Sequence, residues 1–206
     1  MEGGEGRPSE IVIPPEFVKL EGVLNEDDLN AVLAWSRDHH GQFITETVLT
    51  PDNGPDVATE NTVRVLDDLG ELGARIAARI RDEVLVAATH GGPTGMPGEQ
   101  PRLGDSVALR MFEVDAEFEI HPPASDTGIG VVLYLTVPTT PRLRLHEGRQ
   151  MGDTAVAGAN SVEVATEANV AVVFAAQNTV VVNAGIEPSD AEDRSCALVI
   201  AGHLGA

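Results

Sequence analysis

From residue 104 to its end this 206-residue chain is a series of short apolar runs separated by Gly, Pro, Asn and Asp, and no helix-period stretch interrupts them. Strand patterns in succession, with no alternation of strand and helix, exclude a parallel βαβ sheet. They predict an antiparallel sheet closed into a barrel or folded into a sandwich. The stretch 106–135 organises that half. Phe112, Val114, Ala116, Phe118 and Ile120 fall on one face of a strand, and Glu113, Asp115, Glu117, Glu119 and His121 on the other, as a period of two requires. Pro122 and Pro123 cannot donate to a sheet ladder, so this strand ends at His121, at a mouth.

The length suits one domain with a core that needs no metal or disulfide staple. Residues 1–10 read as a disordered Gly- and Glu-rich tail, 11–103 as helical support, and 104–206 as the barrel. Only seven residues are aromatic, so Val, Leu, Ile and Ala must fill the core. A single cysteine, Cys196, excludes an internal disulfide and fits a reducing compartment; with no apolar run of membrane length and no signal pattern, the expected location is cytoplasmic. Thirty-three acidic residues against 13 basic give a formal charge of −20, which repels phosphate backbones and anionic lipid. Neither nucleic acid nor a membrane is expected as a partner, whereas a homodimer is compatible with everything read here.

Before the barrel, two helices are predicted. Asn25 can cap the first, Glu26 and Asp27 suit its positive end, and Leu29, Val32, Leu33 and Ser36 repeat at helical spacing as far as the His39-His40 pair, read as a helix end rather than a metal site. Leu66, Leu69, Leu72, Ile76, Ile80 and Val84 mark the second, over 65–88. Between them, 43–49 alternates as a strand and PDNGPD (51–56) is loop chemistry; THGGPTGMPGEQP (89–101) is a long loop, with His90 a loop residue. No nucleophile elbow, Walker loop, HExxH or dinucleotide fingerprint occurs. Cys196 lies in an apolar run and reads as a packing residue.

The order of these elements over 17–204 resembles the prolyl-hydroxylase branch of the 2-oxoglutarate/Fe(II) oxygenases. The resemblance rests on FVKLEGVLNEDDLNAVL (17–33), the strand ending at His121, VVLYLT (131–136), PRLRLHEG (141–148), VEVATEANVAVVF (162–174) and the run Arg194-Ser195-Cys196-Ala197-Leu198. It implies a mainly β fold with supporting helices: a double-stranded β-helix, a cupin-like jelly-roll barrel, with the two N-terminal helices on its outer face. The resemblance puts His121 at the first iron ligand and turns it inward, and period two then carries Glu119 inward beside it. Arg194 falls where the family's arginine holds the 2-oxoglutarate carboxylate, and a salt bridge to Asp190, Glu192 or Asp193 is the alternative.

The departures from the family pattern set the functional expectation. Two imidazoles and one carboxylate make the family's iron site, yet Pro123 stands where the carboxylate belongs, and no histidine occurs from 147 to 202, so the distal slot at 180–183 offers only Asn183 as a polar group. The expectation is an oxygenase-like enzyme that acts on a small molecule, a carboxylate for choice, in a biosynthetic pathway without the standard triad. His121 would then serve acid/base chemistry with Glu119 or Asp126 in a cyclisation, isomerisation or elimination. Arg194 or Arg144 would hold a substrate carboxylate, with Tyr134 and Asn183 completing the binding set. No cofactor is expected; Fe(II) and 2-oxoglutarate enter only if His121, Asp126 and His146 form a rearranged metal site, which would give a working oxygenase. The alternative from a different class is a non-catalytic binding or scaffold protein. A basic-lined cavity favours the enzyme, and a cavity filled by Val, Phe and Met favours the scaffold.

Overall fold

The computed structural model describes residues 10–51, 58–89, 107–114, 117–120, 128–137, 142–151, 154–183 and 196–205. Residues 1–9 of the predicted N-terminal tail, the loop at 90–101 with His90, and PDNGPD beyond Pro51 fall outside these residues; the remaining tail residue, Glu10, opens β1 instead, paired with Met151, and Thr89 ends a helix. The elements are β1 (Glu10–Ile13), β2 (Phe17–Glu21), α1 (Glu26–Asp38), β3 (Ile44–Pro51), β4 (Ala58–Leu66), α2 (Gly70–Thr89), β5 (Val107–Val114), β6 (Phe118–Ile120), β7 (Ile129–Thr136), β8 (Arg142–Met151), β9 (Thr154–Ala165), β10 (Val170–Ala175), β11 (Thr179–Asn183) and β12 (Ala197–Leu204). Neither helix is long and apolar enough to cross a membrane.

All ten strand pairings are antiparallel. One sheet runs β2-β10-β7-β12-β5-β4-β3; the other runs β1-β8-β11-β6, with β9 on the free side of β8. The last eight strands pass back and forth between the two sheets: β5, β7, β10 and β12 lie in the larger, and β6, β8, β9 and β11 in the smaller. This is the double-stranded β-helix, a jelly roll, as expected. Two apolar layers follow from strand alternation. Met111, Leu133, Val131, Ile200 and Leu204 pack on one side of the larger sheet with Val32, Leu72, Ile76 and Ile80 of the helices; Phe112, Val114, Val132, Tyr134 and Val199 meet Leu143, Leu145, Val180 and Val182 of the smaller sheet on the other.

Asn25 caps α1 as predicted: its Oδ1 accepts from the Asp28 N–H at 2.8 Å, and Glu26, Asp27 and Asp28 occupy the first turn. His39 closes the helix, stacked on Trp35 at 4.0 Å with Nδ1 donating to the Trp35 carbonyl at 2.8 Å.

Two boundaries differ from expectation. The second helix starts at Gly70, because 63–66 belongs to β4: Val63 and Val65 fill the inter-sheet core, while Leu66 and Leu69 reach the helix side from strand and turn. Leu66 and Leu69 fit a helical stripe as well as they fit a strand end and the turn after it. The predicted strand through His121 is broken in two, with β5 and β6 in opposite sheets. The alternation hides the crossing because Phe112, Val114 and Ile120 all face the same interior.

Asn169 ties the barrel to its N-terminal support. At φ 60° it occupies the left-handed region, its side chain exchanges two hydrogen bonds with the backbone of Leu24 (2.8 and 2.6 Å), and its N–H donates to the Tyr134 carbonyl at 2.7 Å. Asn tolerates this backbone conformation better than other residues with a side chain. Asn169→Gly, which relieves the backbone but removes both side-chain bonds, is expected to cost about 1–2 kcal/mol, and Asn169→Ala, which also strains φ, about 1 kcal/mol more. Urea unfolding of the two variants checks this; equal stabilities would assign no cost to φ.

Candidate functional site

Of the residues singled out in sequence, His121, Asp126 and Arg194 lie outside the described residues. Asn183 ends β11 opposite Arg142. The other four separate into two places.

Tyr134 stands inside the barrel. It is fully buried, its hydroxyl donates to the Arg142 carbonyl at 3.4 Å and bonds Thr166, and burial pushes its pKa up against the opposing pull of Thr166. Around it the interior is apolar: Val114, Val172, Phe174, Leu143, Leu145, Val180, Val182 and Val199 are buried and packed together.

Glu119, Arg144 and His146 gather on the far side of the smaller sheet. Leu143 and Leu145 of β8 face the interior, so Arg142, Arg144 and His146 face away from it; in register, Val181 lies between Arg144 and Glu119. The expectation that Glu119 points into the barrel is therefore corrected. In β6 it is Ile120 that packs on the inner cluster, and period two then sends Glu119 outward. On this outer face Glu163 pairs with Arg142 at 3.4 Å and Arg144 at 3.5 Å, and Glu117, Arg142, Arg144, Glu163 and Val181 border a depression of about 130 Å³. Burial lowers the pKa of His146, as does Arg144, while Glu119 and a hydrogen bond to the Gly158 backbone act in the opposite direction. The geometry is that of a charged, partly buried outer face, and it sets His146 apart from the barrel interior.

A third cluster was not anticipated. Arg64 of β4 contacts Glu113 Oε2 of β5 and lies 2.7 Å from His40 Nε2, while its second terminal nitrogen donates to the His40 carbonyl at 2.9 Å. The guanidinium also covers the Phe43 ring at 5.4 Å. A guanidinium only donates, so His40 Nε2 must accept, and Nδ1 carries the hydrogen. The same Nε2 is 3.5 Å from Glu113 Oε1. Cys196 lines the groove beside this cluster; it is exposed just ahead of β12, a correction to its reading as a packing residue. One signal was available: Thr62-Val63-Arg64-Val65-Leu66 alternates as a strand.

Among the described residues no three His, Cys, Asp or Glu side chains converge as a metal-holding group. The one buried carboxylate among them, Glu147, is a fold element: Asn160 (2.6 Å) and Arg149 (2.8 Å) hold it and lower its pKa.

No family model and no curated protein matches the chain. Solved structures do. The α-ketoglutarate-dependent epimerase SnoN from nogalamycin biosynthesis is 17% identical with a TM-score of 0.56, covering 92% of this chain and 78% of its own. A Pseudomonas putida prolyl-4-hydroxylase is 16% identical at TM-score 0.52, covering 92% of each chain. HygX from Streptomyces hygroscopicus, solved with nickel and 2-oxoglutarate, is 11% identical at TM-score 0.53, covering 92% and 82%. The barrel thus has the fold of the 2-oxoglutarate/Fe(II) oxygenases. At these identities the likeness is one of fold.

Proposed function

We propose that this protein acts on a small molecule at the open end of an oxygenase barrel without the family's iron triad, by proton transfer rather than oxidation. The observation that carries the reading lies on β11. Where the resemblance puts the distal ligand, Val180 and Val182 are the side chains turned into the barrel, and both are fully buried among apolar neighbours. Neither has a donor atom. Pro123 has none at the carboxylate position, and His146 faces away from the interior. The residues present do not fit an Fe(II) site, since a single imidazole does not hold a labile divalent ion.

In this reading His121 is the proton-transferring group, Asp126 its carboxylate partner in place of Glu119, and Arg194 the anchor for a substrate carboxylate. The class of reaction is cyclisation, isomerisation or elimination, within a biosynthetic pathway. An isomerisation has a parallel in the SnoN fold neighbour, an epimerase.

The purified protein is expected to carry far less than one equivalent of iron after passage through chelator, and to show no iron-dependent affinity for 2-oxoglutarate. One tightly held equivalent would reject the proposal and favour a working oxygenase with rearranged ligands. Screening small carboxylic acids anaerobically should reveal a mass-neutral or water-losing conversion. His121→Ala should slow that conversion by roughly a hundredfold with the fold intact. A second reading, a non-catalytic binding or scaffold protein, is favoured by the apolar filling of the described interior. It predicts ligand binding or assembly with no conversion at all.

A further inference from the structure

The groove between the C-terminal half of α1 and strands β4, β5 and β12 is separate from the barrel interior. Strand alternation puts Arg64, Glu113 and Leu198 on the helix side of the larger sheet, opposite Val65, Phe112, Val114 and Val199. Its volume is about 630 Å³, within the range of small-molecule sites. We propose that it is a second ligand site, for an organic carboxylate with an apolar body.

Four features support this. Leu33 and Leu198 supply an apolar wall. Against one carboxylate, Glu113, the groove presents the guanidinium groups of Arg37 and Arg64, a local excess of positive charge in a chain of net −20. Arg64 is fixed before any ligand arrives, held by Glu113, the His40 carbonyl and the Phe43 ring, and its bonds to Glu113 and His40 use three of the five N–H donors of a guanidinium. Arg37 is the adaptable partner: exposed, it donates from Nε to the Leu33 carbonyl at 3.1 Å, which leaves its terminal nitrogens at the groove. Two guanidinium groups over an apolar wall recognise a carboxylate attached to a ring or chain. A polar backbone or a cation would gain nothing from the wall or the charge.

Cys196 lines the same groove and is the chain's single cysteine, so it reports on occupancy. The probe is 5,5′-dithiobis(2-nitrobenzoate), an aromatic carboxylate. The Cys196 sulfur attacks one disulfide sulfur, the S–S bond breaks, and a mixed disulfide forms as coloured thionitrobenzoate leaves; the thiol proton passes to buffer. Each rate on the folded protein is divided by that on the urea-unfolded chain, and the same ratio is taken for the neutral 4,4′-dithiodipyridine.

The anionic ratio is expected to exceed the neutral one by about tenfold or more, the scale of electrostatic focusing in a cleft. It should fall towards the neutral ratio in Arg37→Gln and Arg64→Gln, and millimolar benzoate should suppress it. An anionic ratio equal to or below the neutral one, as the net charge alone dictates, would overturn the proposal, and so would indifference to both substitutions. If Arg64→Gln fails to fold, Arg37→Gln decides, because Arg37 is exposed and its hydrogen bond is local, to the Leu33 carbonyl within α1. If Cys196 reacts with neither reagent, titration of benzoate into the native protein decides: no binding rejects the site, and binding lost in Arg37→Gln supports it. These outcomes leave the barrel reading untouched, since none involves His121 or iron.

Discussion

Gly202→Ala is expected to destabilise the protein by about 4 kcal/mol or more, a drop in Tm of roughly 10 °C, which puts it among the severe single substitutions. Gly202 lies in β12 between Leu109 of β5 and Val131 of β7, at the centre of the larger sheet. Its φ of +149° belongs to the region that favours glycine, and a Cβ at this position would overlap the Ala108 carbonyl oxygen and stand 2.9 Å from the carbonyl carbon. The obstacle is backbone held by a ladder on both sides, so it cannot swing away as a side-chain tip does. Relief would require opening the β5–β12 pairing. Gly41→Ala is the control: Gly41 is exposed, and nothing lies within 4 Å of the point a Cβ would occupy, so its effect should stay within about 0.5 kcal/mol. Denaturant unfolding of both variants checks the contrast; a Gly202→Ala protein of wild-type stability would mean that β12 is not clamped as described.

The sequence carried the barrel because its apolar positions are redundant. Most strands contribute two or three inward apolar residues, and the period of two survives any local error in strand ends. What it could not carry was the sheet to which each strand belongs. Phe112 and Ile120 obey one alternation yet sit in opposite sheets, and that single crossing separates Glu113, on the helix side, from Glu119, on the outer face of the smaller sheet. Of that row on paper, the described Glu113 thereby parts from Glu117 and Glu119, and the two places are unrelated. β4 was hidden for a different reason: Leu66 and Leu69 fit a helical stripe as well as they fit a strand end and a turn.

The site was less legible than the fold because its residues converge from distant strands. His40 follows the end of α1, Arg64 lies 24 residues later and Glu113 a further 49, and no local spacing links them. The one local hint was the strand alternation of 62–66, which puts Arg64 on a strand face but names no partner for it. In the barrel the reverse holds. Its interior was readable as apolar from the strand pattern, and Val180 and Val182 of β11 are among the buried side chains that fill it; in the proposed reading they stand where the oxygenase fold's distal ligand would be.

Acid should weaken this protein through His203 by about 3 kcal/mol, the free energy of its pKa displacement. His203 lies near the end of β12 between Ala108 and Gly130, largely buried, and its Nε2 has no hydrogen-bond partner among the described residues. Burial lowers its pKa from the usual 6.5 to about 4. Between those values the unfolded chain binds a proton at His203 and the folded chain does not, so protons favour unfolding. The contribution is fully present above pH 6.5, declines as pH falls through the window, and reaches its full loss below about pH 4. The many carboxylates of this chain also titrate at the lower end, and their mutual repulsion relaxes as they protonate. His203→Leu isolates the histidine from that background, since the acidic residues are common to both proteins. Urea unfolding at pH 7, 6, 5 and 4 should show the variant losing less stability than the parent between pH 6.5 and 4, by up to one proton's worth of slope. At pH 7 it should match or exceed the parent, because a buried nitrogen lacking a partner disappears with the ring. Parallel curves for the two proteins over the whole range would mean that His203 is solvated in the folded state and titrates as an ordinary imidazole.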